Sequence, residues 1–439
     1  MPRTSPQLRI HFNWQRALGC FTAVMLGAGL GVGWASALPR AAPEEVGMSS
    51  ERLKRLDQVM QAYVDNQRLA GAATLIARRG KIAHIGVYGM ANRETEQPMQ
   101  SGTLFRIASM TKPITSAAVM MLYEEGKFRL DQPVEQLLPE FAEARVVKAN
   151  ADGEEGEAFE EPIRKMTVRH LLTHTSGLTY GGGPAAQHYR GKRINPGFRL
   201  ADITLAEMTE ELGKIPLAFH PGDQWWYGYS TDALGRLVEV ASGMTLAQFF
   251  EERIFKPLKM NDTAFYYPKE AKERFAVVYS PDAEKGLKPH PKTAQGGWRS
   301  VAYPYEGPQT TYCGGSGLSS TILDYARFCQ MILNGGELDG VRLLSPTTVE
   351  MMSRDNLKAE VEFGNGQRFG LGFMTHTNPT ASRSVTSAGT IRWSGIWHTA
   401  FFIDPQQELI GIIMTQLYPT WWLDDQQKFE MMTYQAIVD

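Results

Sequence analysis

The stretch FRIASMTKPITSAAVMML places a serine, Ser109, three residues before a lysine, Lys112, where a β-like segment gives way to an apolar helix. Side chains at positions i and i+3 of a helix lie on the same face, so the hydroxyl and the amine are expected to meet. The positive end of the helix dipole and burial both disfavour an ammonium, which would make Lys112 a neutral base. The Ser109 backbone N–H would also face a developing oxyanion. The pattern indicates a serine nucleophile.

The same spacing has a purely structural interpretation, in which Ser109 caps a helix and Lys112 is exposed. A chain of this length is expected to contain roughly one Ser-x-x-Lys by chance. Here it is the only match in the chain, and the apolar run AAVMML follows it. Such a run would bury the helix and fix the serine in position.

Other hydrolase signals are missing. The chain has no Gly-x-Ser-x-Gly elbow, which weighs against an α/β-hydrolase, and no His-Glu-x-x-His. The segment HLLTH does place His170 and His174 at i and i+4, the spacing of a metal pair. Because no third ligand stands at a suggestive spacing, we expect a structural role for these histidines and no metal or organic cofactor.

The composition is that of an ordinary globular protein. Of 439 residues, 43% are apolar and 21% charged, and the formal net charge is -2. The absence of a basic surplus argues against a nucleic-acid partner. Three cysteines are too few for a disulfide framework. Cys20 lies near the N-terminus, and the sequence leaves open whether Cys313 and Cys329 pair.

The N-terminus is typical of an export signal. An apolar, uncharged run covers residues 17–37 and closes on Ala35-Ser36-Ala37, a small-x-small cleavage pattern. We therefore expect residues 1–37 to be a signal peptide and the protein to be periplasmic or secreted, with no stable membrane association once the signal is cleaved. The alternative is a retained membrane anchor. A basic head precedes the run: Arg3, Arg9 and Arg16.

Strand patterns lie towards both ends of the chain. AATLIARRG and KIAHIGVYG predict a hairpin turning at Arg79-Gly80-Lys81. RFGLGFMTH, HTAFFIDPQQ and ELIGIIMTQ predict three more strands, and DDQQKFEMMTYQAIV a closing helix. The middle is mostly helical patterns and long loops. We therefore expect one domain, 38–439, whose antiparallel sheet comes from 38–108 and 335–439, with a helical part over roughly 109–334.

Four motifs in this order resemble the serine β-lactamase-like superfamily, which includes class C β-lactamases, D-amino-acid peptidases and family VIII carboxylesterases. They are SMTK, HLLTHTSGL, GYST after HPGDQWWY, and GGSGLSSTILDYARF. The resemblance spans about residues 46–416. It implies an α/β part with a five-stranded antiparallel sheet flanked by helices, plus an inserted all-α part.

The resemblance also implies roles for three residues. Ser109 matches the acylated nucleophile and Lys112 its partner. Tyr229, in GYST, matches the catalytic tyrosine that moves the proton between nucleophile and leaving group, and a phenol beside a cationic lysine is a reasonable base. Without the motif order, Tyr229 would be an ordinary aromatic in the run WWYGY.

Two departures bear on the substrate. Where β-lactamases have Tyr-x-Asn, this chain has Tyr229-Ser230-Thr231, so the amide is absent. Where they have Lys-Thr-Gly, counting back from FFIDP gives Trp393-Ser394-Gly395, and a tryptophan cannot pair with a carboxylate. Trp-x-Gly resembles the esterase branch.

The register chosen for this strand makes the Ile396 backbone N–H the second oxyanion donor. A rival register would use His398-Thr399-Ala400. It leaves four residues up to Asp404, too few for the strand.

The sequence therefore predicts a serine hydrolase, a carboxylesterase acting on a small-molecule ester or amide, and leaves the oligomeric state open. One alternative is a β-lactamase or D-amino-acid peptidase. Another is a non-catalytic penicillin-recognising sensor. Six aromatic residues are candidates for an apolar pocket, although ordinary packing explains any single one: Tyr180, Trp225, Trp226, Tyr312, Trp393 and Trp397.

Overall fold

The computed structural model describes residues 37–148, 158–198, 200–284, 286–293, 300–420 and 422–439. The predicted export signal, 1–37, lies outside the described residues except for Ala37, and Cys20 lies outside them too. Within the described ranges, no helix combines the length and the apolar character that a membrane crossing requires.

Sixteen strands and twelve α-helices occur in the described residues. The strands are β1 Gly71–Arg78, β2 Lys81–Asn92, β3 Gln97–Pro98, β4 Phe105–Arg106, β5 Val146–Val147, β6 Phe159–Glu160, β7 Tyr279–Asp282, β8 Gly286–Pro289, β9 Ser319–Ser320, β10 Glu337–Leu338, β11 Val341–Arg342, β12 Gln367–Phe369, β13 Met374–His376, β14 Ile391–Gly395, β15 Thr399–Asp404 and β16 Leu409–Met414. The helices are α1 Ser50–Asp65, α2 Thr111–Glu124, α3 Val168–Leu172, α4 Ala186–Tyr189, α5 Leu205–Gly213, α6 Ser230–Ser242, α7 Leu246–Phe250, α8 Lys256–Leu258, α9 Ile322–Leu333, α10 Pro346–Ser353, α11 Pro379–Ser382 and α12 Asp425–Gln435.

The main sheet is antiparallel and joins the two ends of the chain. Its strand order is β12-β13-β14-β15-β16-β1-β2-β3. The strands β1 and β16 pair with Ala73 opposite Met414 and Arg78 opposite Leu409. Every residue of β1, β15 and β16 is buried, as expected of continuous apolar runs at the centre of a sheet covered on both faces.

Helices cover both faces of this sheet. The terminal helices α1 and α12 pack together, and side chains such as Leu56, Met60 and Phe429 form one apolar cluster with residues of the sheet. On the other face, α9 packs against β1, β15 and β16, and its cluster includes α2. The sheet is therefore sandwiched between helices from the termini and helices from the middle of the chain.

The large antiparallel sheet with helices is confirmed, but the five-strand count is wrong because the sheet has eight strands. The strands β3, β12 and β13 have only two or three residues, too few for a period-two pattern to be recognised. The segment RFGLGFMTH, predicted as one strand, covers the last two residues of β12 and all of β13. It breaks between them, where Gly372 adopts a left-handed φ of 100°.

The middle of the chain contributes helices α2 to α9 and short strand pairs. One pair, β4 with β9, stands next to the predicted nucleophile. Cys313 and Cys329, whose pairing the sequence left open, are buried free thiols.

Candidate active site

The strand pair β4–β9 delivers the chain into a tight turn that carries Ser109. The turn is a single 3₁₀ segment, Ala108–Met110, leading directly into α2. Ala108 has a left-handed φ of 45°, a conformation that costs a non-glycine residue about 1–3 kcal/mol. Two hydrogen bonds hold the turn: Ile107 N–H to the Leu318 carbonyl at 3.2 Å and the Tyr325 hydroxyl to the Met110 carbonyl at 2.9 Å. Ser109 itself is half-buried.

The amine of Lys112 meets the Ser109 hydroxyl, as the spacing predicts. Its Nζ lies 3.3 Å from Ser109 Oγ, and the side chain is buried. The same Nζ donates to the Tyr180 hydroxyl at 3.0 Å and to the Gly315 carbonyl at 2.7 Å. Three acceptors around one Nζ match the three N–H groups of an ammonium. That Lys112 acts as a neutral base stays a prediction.

Two tyrosines other than Tyr229 have direct contacts with Lys112. The first, Tyr180, accepts the hydrogen bond just described, and the second, Tyr227, presents its ring 4.4 Å from Nζ. The Tyr227 hydroxyl accepts a hydrogen bond from Trp393 Nε1 at 3.3 Å. Burial, followed by the charge of Asp232, raises the pKa of Tyr180 well above its ordinary value, so this phenol stays protonated.

The predicted tyrosine, Tyr229, stands at the N-terminus of α6. Its ring lies edge-on to Tyr180, with centroids 4.6 Å apart, and parallel to Tyr189 at 6.0 Å. Sequence reasoning missed Tyr227, two residues earlier. Tyr227-Gly228-Tyr229 has the same Tyr-x-polar spacing as Tyr229-Ser230-Thr231. This second match in WWYGYST could have identified Tyr227.

The end of β14 packs against the nucleophile turn. A Cβ placed on Gly395 would lie only 2.3 Å from the Ile107 carbonyl oxygen, so only glycine permits this approach. Ile396 follows directly and lines the same cavity as Ser109. The N–H of His398, the first residue of the rival register, donates to the Gly395 carbonyl at 2.9 Å. The strand that packs against the nucleophile turn is therefore β14, which carries Trp393.

These groups surround a cavity of about 670 Å³. Of the six aromatic candidates, Tyr180 and Trp393 line it, whereas Trp397 is buried behind its wall against Phe198 and Tyr418. Its lining residues are Ser109, Tyr180, Pro196, Phe198, Tyr227, Tyr229, Ser316, Trp393, Ser394, Gly395, Ile396, His398, Tyr418, Pro419, Thr420 and Gln426. The remaining aromatic candidates do not line it: Trp225, Trp226 and Tyr312.

The histidine pair of HLLTH is engaged in local structure. His170 Nδ1 accepts the Thr167 N–H at 3.2 Å, and burial lowers the pKa of His170 to about 4. His174 is buried 5.0 Å from the Tyr227 ring, and burial together with Lys112 lowers its pKa well below the ordinary value. Within the described ranges, no cluster of three His, Cys, Asp or Glu could hold a metal.

Comparisons with known proteins show the family of the chain. The family model described as Beta-lactamase matches residues 56–427. Protein Rv1367c of Mycobacterium tuberculosis is 35% identical over 80% of this chain and 86% of its own length. Esterase EstB of Burkholderia gladioli is 33% identical over 82% of this chain and 89% of its own. The solved structure of EstCE1, a hydrolase with promiscuous acyltransferase activity, superposes with a TM-score of 0.73 at 26% identity, covering 88% of this chain and 98% of EstCE1.

The contact between Gly395 and Ile107 generates a test. We expect Gly395→Ala to reduce ester hydrolysis by roughly 10²-fold, because the methyl group forces β14 away from the nucleophile turn and a displacement of about 1 Å is enough for such a loss. Gly102→Ala is the matched control, since nothing lies within 4 Å of a Cβ there. Steady-state kinetics on a p-nitrophenyl ester would measure both. Full activity in Gly395→Ala would contradict the role assigned to this contact.

Proposed function

The chain belongs to the Beta-lactamase family, and we propose that it is a serine carboxylesterase that forms its acyl-enzyme on Ser109. One observation carries the proposal: Ser109 Oγ lies 3.3 Å from Lys112 Nζ, in a cavity that Trp393 lines on the side of β14. A relative named for esterase activity, EstB, supports it. The N-terminal sequence supports export, and we place the enzyme in the periplasm or outside the cell.

The reaction proceeds in two covalent steps. Ser109 Oγ attacks the ester carbonyl carbon and loses its proton to the Lys112–tyrosine network. The backbone N–H groups of Ser109 and Ile396 stabilise the negative oxygen that forms. The bond to the alcohol breaks, and the alcohol leaves with that proton. Water then attacks the acyl-enzyme, gives its proton to the same network and releases the acid, while Ser109 Oγ regains a proton.

The proton acceptor is best assigned to Tyr227. Tyr180 is unsuited because its raised pKa keeps it protonated. The Tyr227 ring centroid lies 4.4 Å from Lys112 Nζ, and its side chain lines the cavity beside Ser109. Tyr229, the residue indicated by the motif, lines the same cavity with its ring between Tyr180 and Tyr189. Both assignments are testable.

The wall of the cavity favours esters over β-lactams. Trp393 offers apolar contact and an indole N–H already bonded to Tyr227, but no charge for a substrate carboxylate. Thr231 does not line the cavity, and its hydroxyl lies 3.4 Å from His174 Nε2. A bicyclic lactam would lose the charge-assisted hydrogen bond and the amide contact, whereas an uncharged ester requires neither.

The nucleophile is tested by removing it. We expect Ser109→Ala to lower turnover by roughly 10⁴-fold or more while the fold remains intact, because the covalent route is lost. Ser316→Ala is the matched control, since Ser316 lines the same cavity. After fluorophosphonate treatment, peptide mass spectrometry should find the label on Ser109. A label on a different serine would refute the assignment.

The proton network is tested by three single variants and one double variant. We expect Tyr227→Phe and Lys112→Ala each to cost about 10²–10⁴-fold in kcat, the usual contribution of positioned proton transfer. The double variant should lose far less than the product, because both residues act on one network. Tyr229→Phe keeps the ring packing and should cost less than Tyr227→Phe. A larger loss in Tyr229→Phe than in Tyr227→Phe would assign the proton acceptor to Tyr229. If the losses of Tyr227→Phe and Lys112→Ala multiply in the double variant, one of these two residues has only a structural role.

Specificity is tested with competing substrates. We expect kcat/KM for a short-chain p-nitrophenyl ester to exceed that for a cephalosporin by at least about two orders of magnitude, or ~2.7 kcal/mol. Trp393→Lys should narrow the gap by supplying a charge for the carboxylate. Trp393→Phe, which changes the size of the side chain but adds no charge, should leave the difference in kcat/KM between ester and cephalosporin as large as before. Equal or better cephalosporin hydrolysis by the unmodified protein would favour the β-lactamase alternative, and an initial burst without turnover would favour the sensor.

A further inference from the structure

A carboxylate that the proposed reaction does not use lies next to its catalytic lysine. Asp232, in the first turn of α6, is completely buried. Its Oδ1 accepts a hydrogen bond from the Gly315 N–H at 3.0 Å. Its Oδ2 has no hydrogen-bond partner among the described residues. A buried carboxylate with an unsatisfied oxygen is costly and requires an explanation.

Gly315 connects this carboxylate to Lys112. The carbonyl of Gly315 accepts the 2.7 Å hydrogen bond from Lys112 Nζ, while its N–H points to Asp232. A Cβ on Gly315 would lie 2.7 Å from Asp232 Oδ2, so the carboxylate packs directly against the glycine. The preceding residue, Gly314, accepts a hydrogen bond from the Thr115 hydroxyl at 2.6 Å. The loop is therefore held between α2 and α6.

The charges of Asp232 and Lys112 complement each other. In the described part of the chain, the three acceptors of Lys112 are two hydroxyls and a carbonyl, none of them an anion. A buried ammonium needs a compensating negative charge. Lys112 is the charged side chain that acts on Asp232. The two groups thus form a buried pair of opposite charge bridged by Gly315.

We propose that Asp232 is a positioning residue of the esterase, whose ionised carboxylate orients Gly315 and balances the charge of Lys112 so that Ser109 can be acylated. This inference rests on the proposed function. Asp232 does not touch the substrate and acts through Gly315 and Lys112. Only its ionised form supports acylation, because the protonated acid leaves the lysine without a counter-charge.

The pH range of the effect follows from the surroundings of Asp232. Burial raises its pKa to about 6, against the opposing influence of Lys112 and the Gly315 N–H. The carboxylate is therefore ionised above about pH 6 and protonated below it. The other titratable neighbours are Tyr180 and Cys313, whose pKa values burial raises well above their ordinary range. Acylation should accordingly slow as the pH falls through about 6.

The experiment measures the rate at which a fluorophosphonate labels Ser109 in the full-length protein at pH values from about 5 to 8. This readout follows the nucleophilic attack of Ser109 alone and needs no ester turnover. We expect the unmodified protein to lose labelling rate about tenfold per pH unit below the midpoint, as for one ionisation. Asp232→Asn keeps an acceptor oxygen for Gly315 and removes the charge. This variant should be labelled about 10²-fold more slowly at pH 8. Its labelling rate should also show no acid limb, that is, no further fall as the pH decreases through about 6.

Asp324→Asn is the matched control. Asp324 is also buried with a pKa raised to about 6 by burial, but its carboxylate bonds to the Asp262 N–H and the Thr263 hydroxyl, away from the cavity. This variant should keep the acid limb. A flat profile in the unmodified protein, a normal rate and limb in Asp232→Asn, or loss of the limb in Asp324→Asn would each overturn the proposal.

Two further results keep the test decisive. If circular dichroism shows that Asp232→Asn does not fold, Gly315→Ala replaces it, because its methyl group displaces the carboxylate. A shifted midpoint in Gly315→Ala would support the proposal, and an unchanged one would overturn it. Failure of the unmodified protein to be labelled on Ser109 at any pH would instead refute the esterase function.

Discussion

The burial of one amine is the constraint on which the site depends. Lys112 is almost inaccessible to water, so each N–H of its amine must find an acceptor inside the protein. The acceptors are Ser109 from the turn just before α2, Tyr180 from the loop after α3 and Gly315 from the loop before α9. Three segments far apart in the chain must therefore converge within hydrogen-bonding distance of one atom. The helical middle of the chain supplies that convergence.

The sheet imposes the second constraint, on the other side of Ser109. Pairing of β1 with β16 joins the two ends of the chain, and β15 and β14 continue the ladder towards the nucleophile turn. Because Gly395 has no side chain, β14 closes onto the Ile107 carbonyl, and Ile396 lines the same cavity as Ser109. Ser109 thus lies where the end of β14 meets the turn that leads into α2.

What could be predicted from the sequence was local or strongly periodic. Ser109 and Lys112 meet because they are one helical turn apart, and β1, β2, β15 and β16 are long enough to show their pattern. The five-strand count failed because the additional strands, such as β3, have two or three residues and exist only through their neighbours. Tyr227 was missed although its spacing in WWYGYST was visible in the sequence. Gly315 and Asp232 were not identified, since their relation to Lys112 arises from contacts between distant segments that no spacing in a single sequence reveals.

The site also concentrates unfavourable features that the rest of the fold must offset. Ala108 holds a left-handed backbone next to the nucleophile, and Asp232 keeps an unsatisfied buried oxygen that costs about 1–3 kcal/mol. Neither feature stabilises the fold, and both lie where they shape the surroundings of Ser109 and Lys112. The large apolar clusters on the two faces of the sheet supply the compensating stability. The unfavourable features at Ala108 and Asp232 are what a preorganised catalytic site requires. If these groups were free to relax, they would not hold the serine, the amine and the proposed oxyanion donors in one geometry.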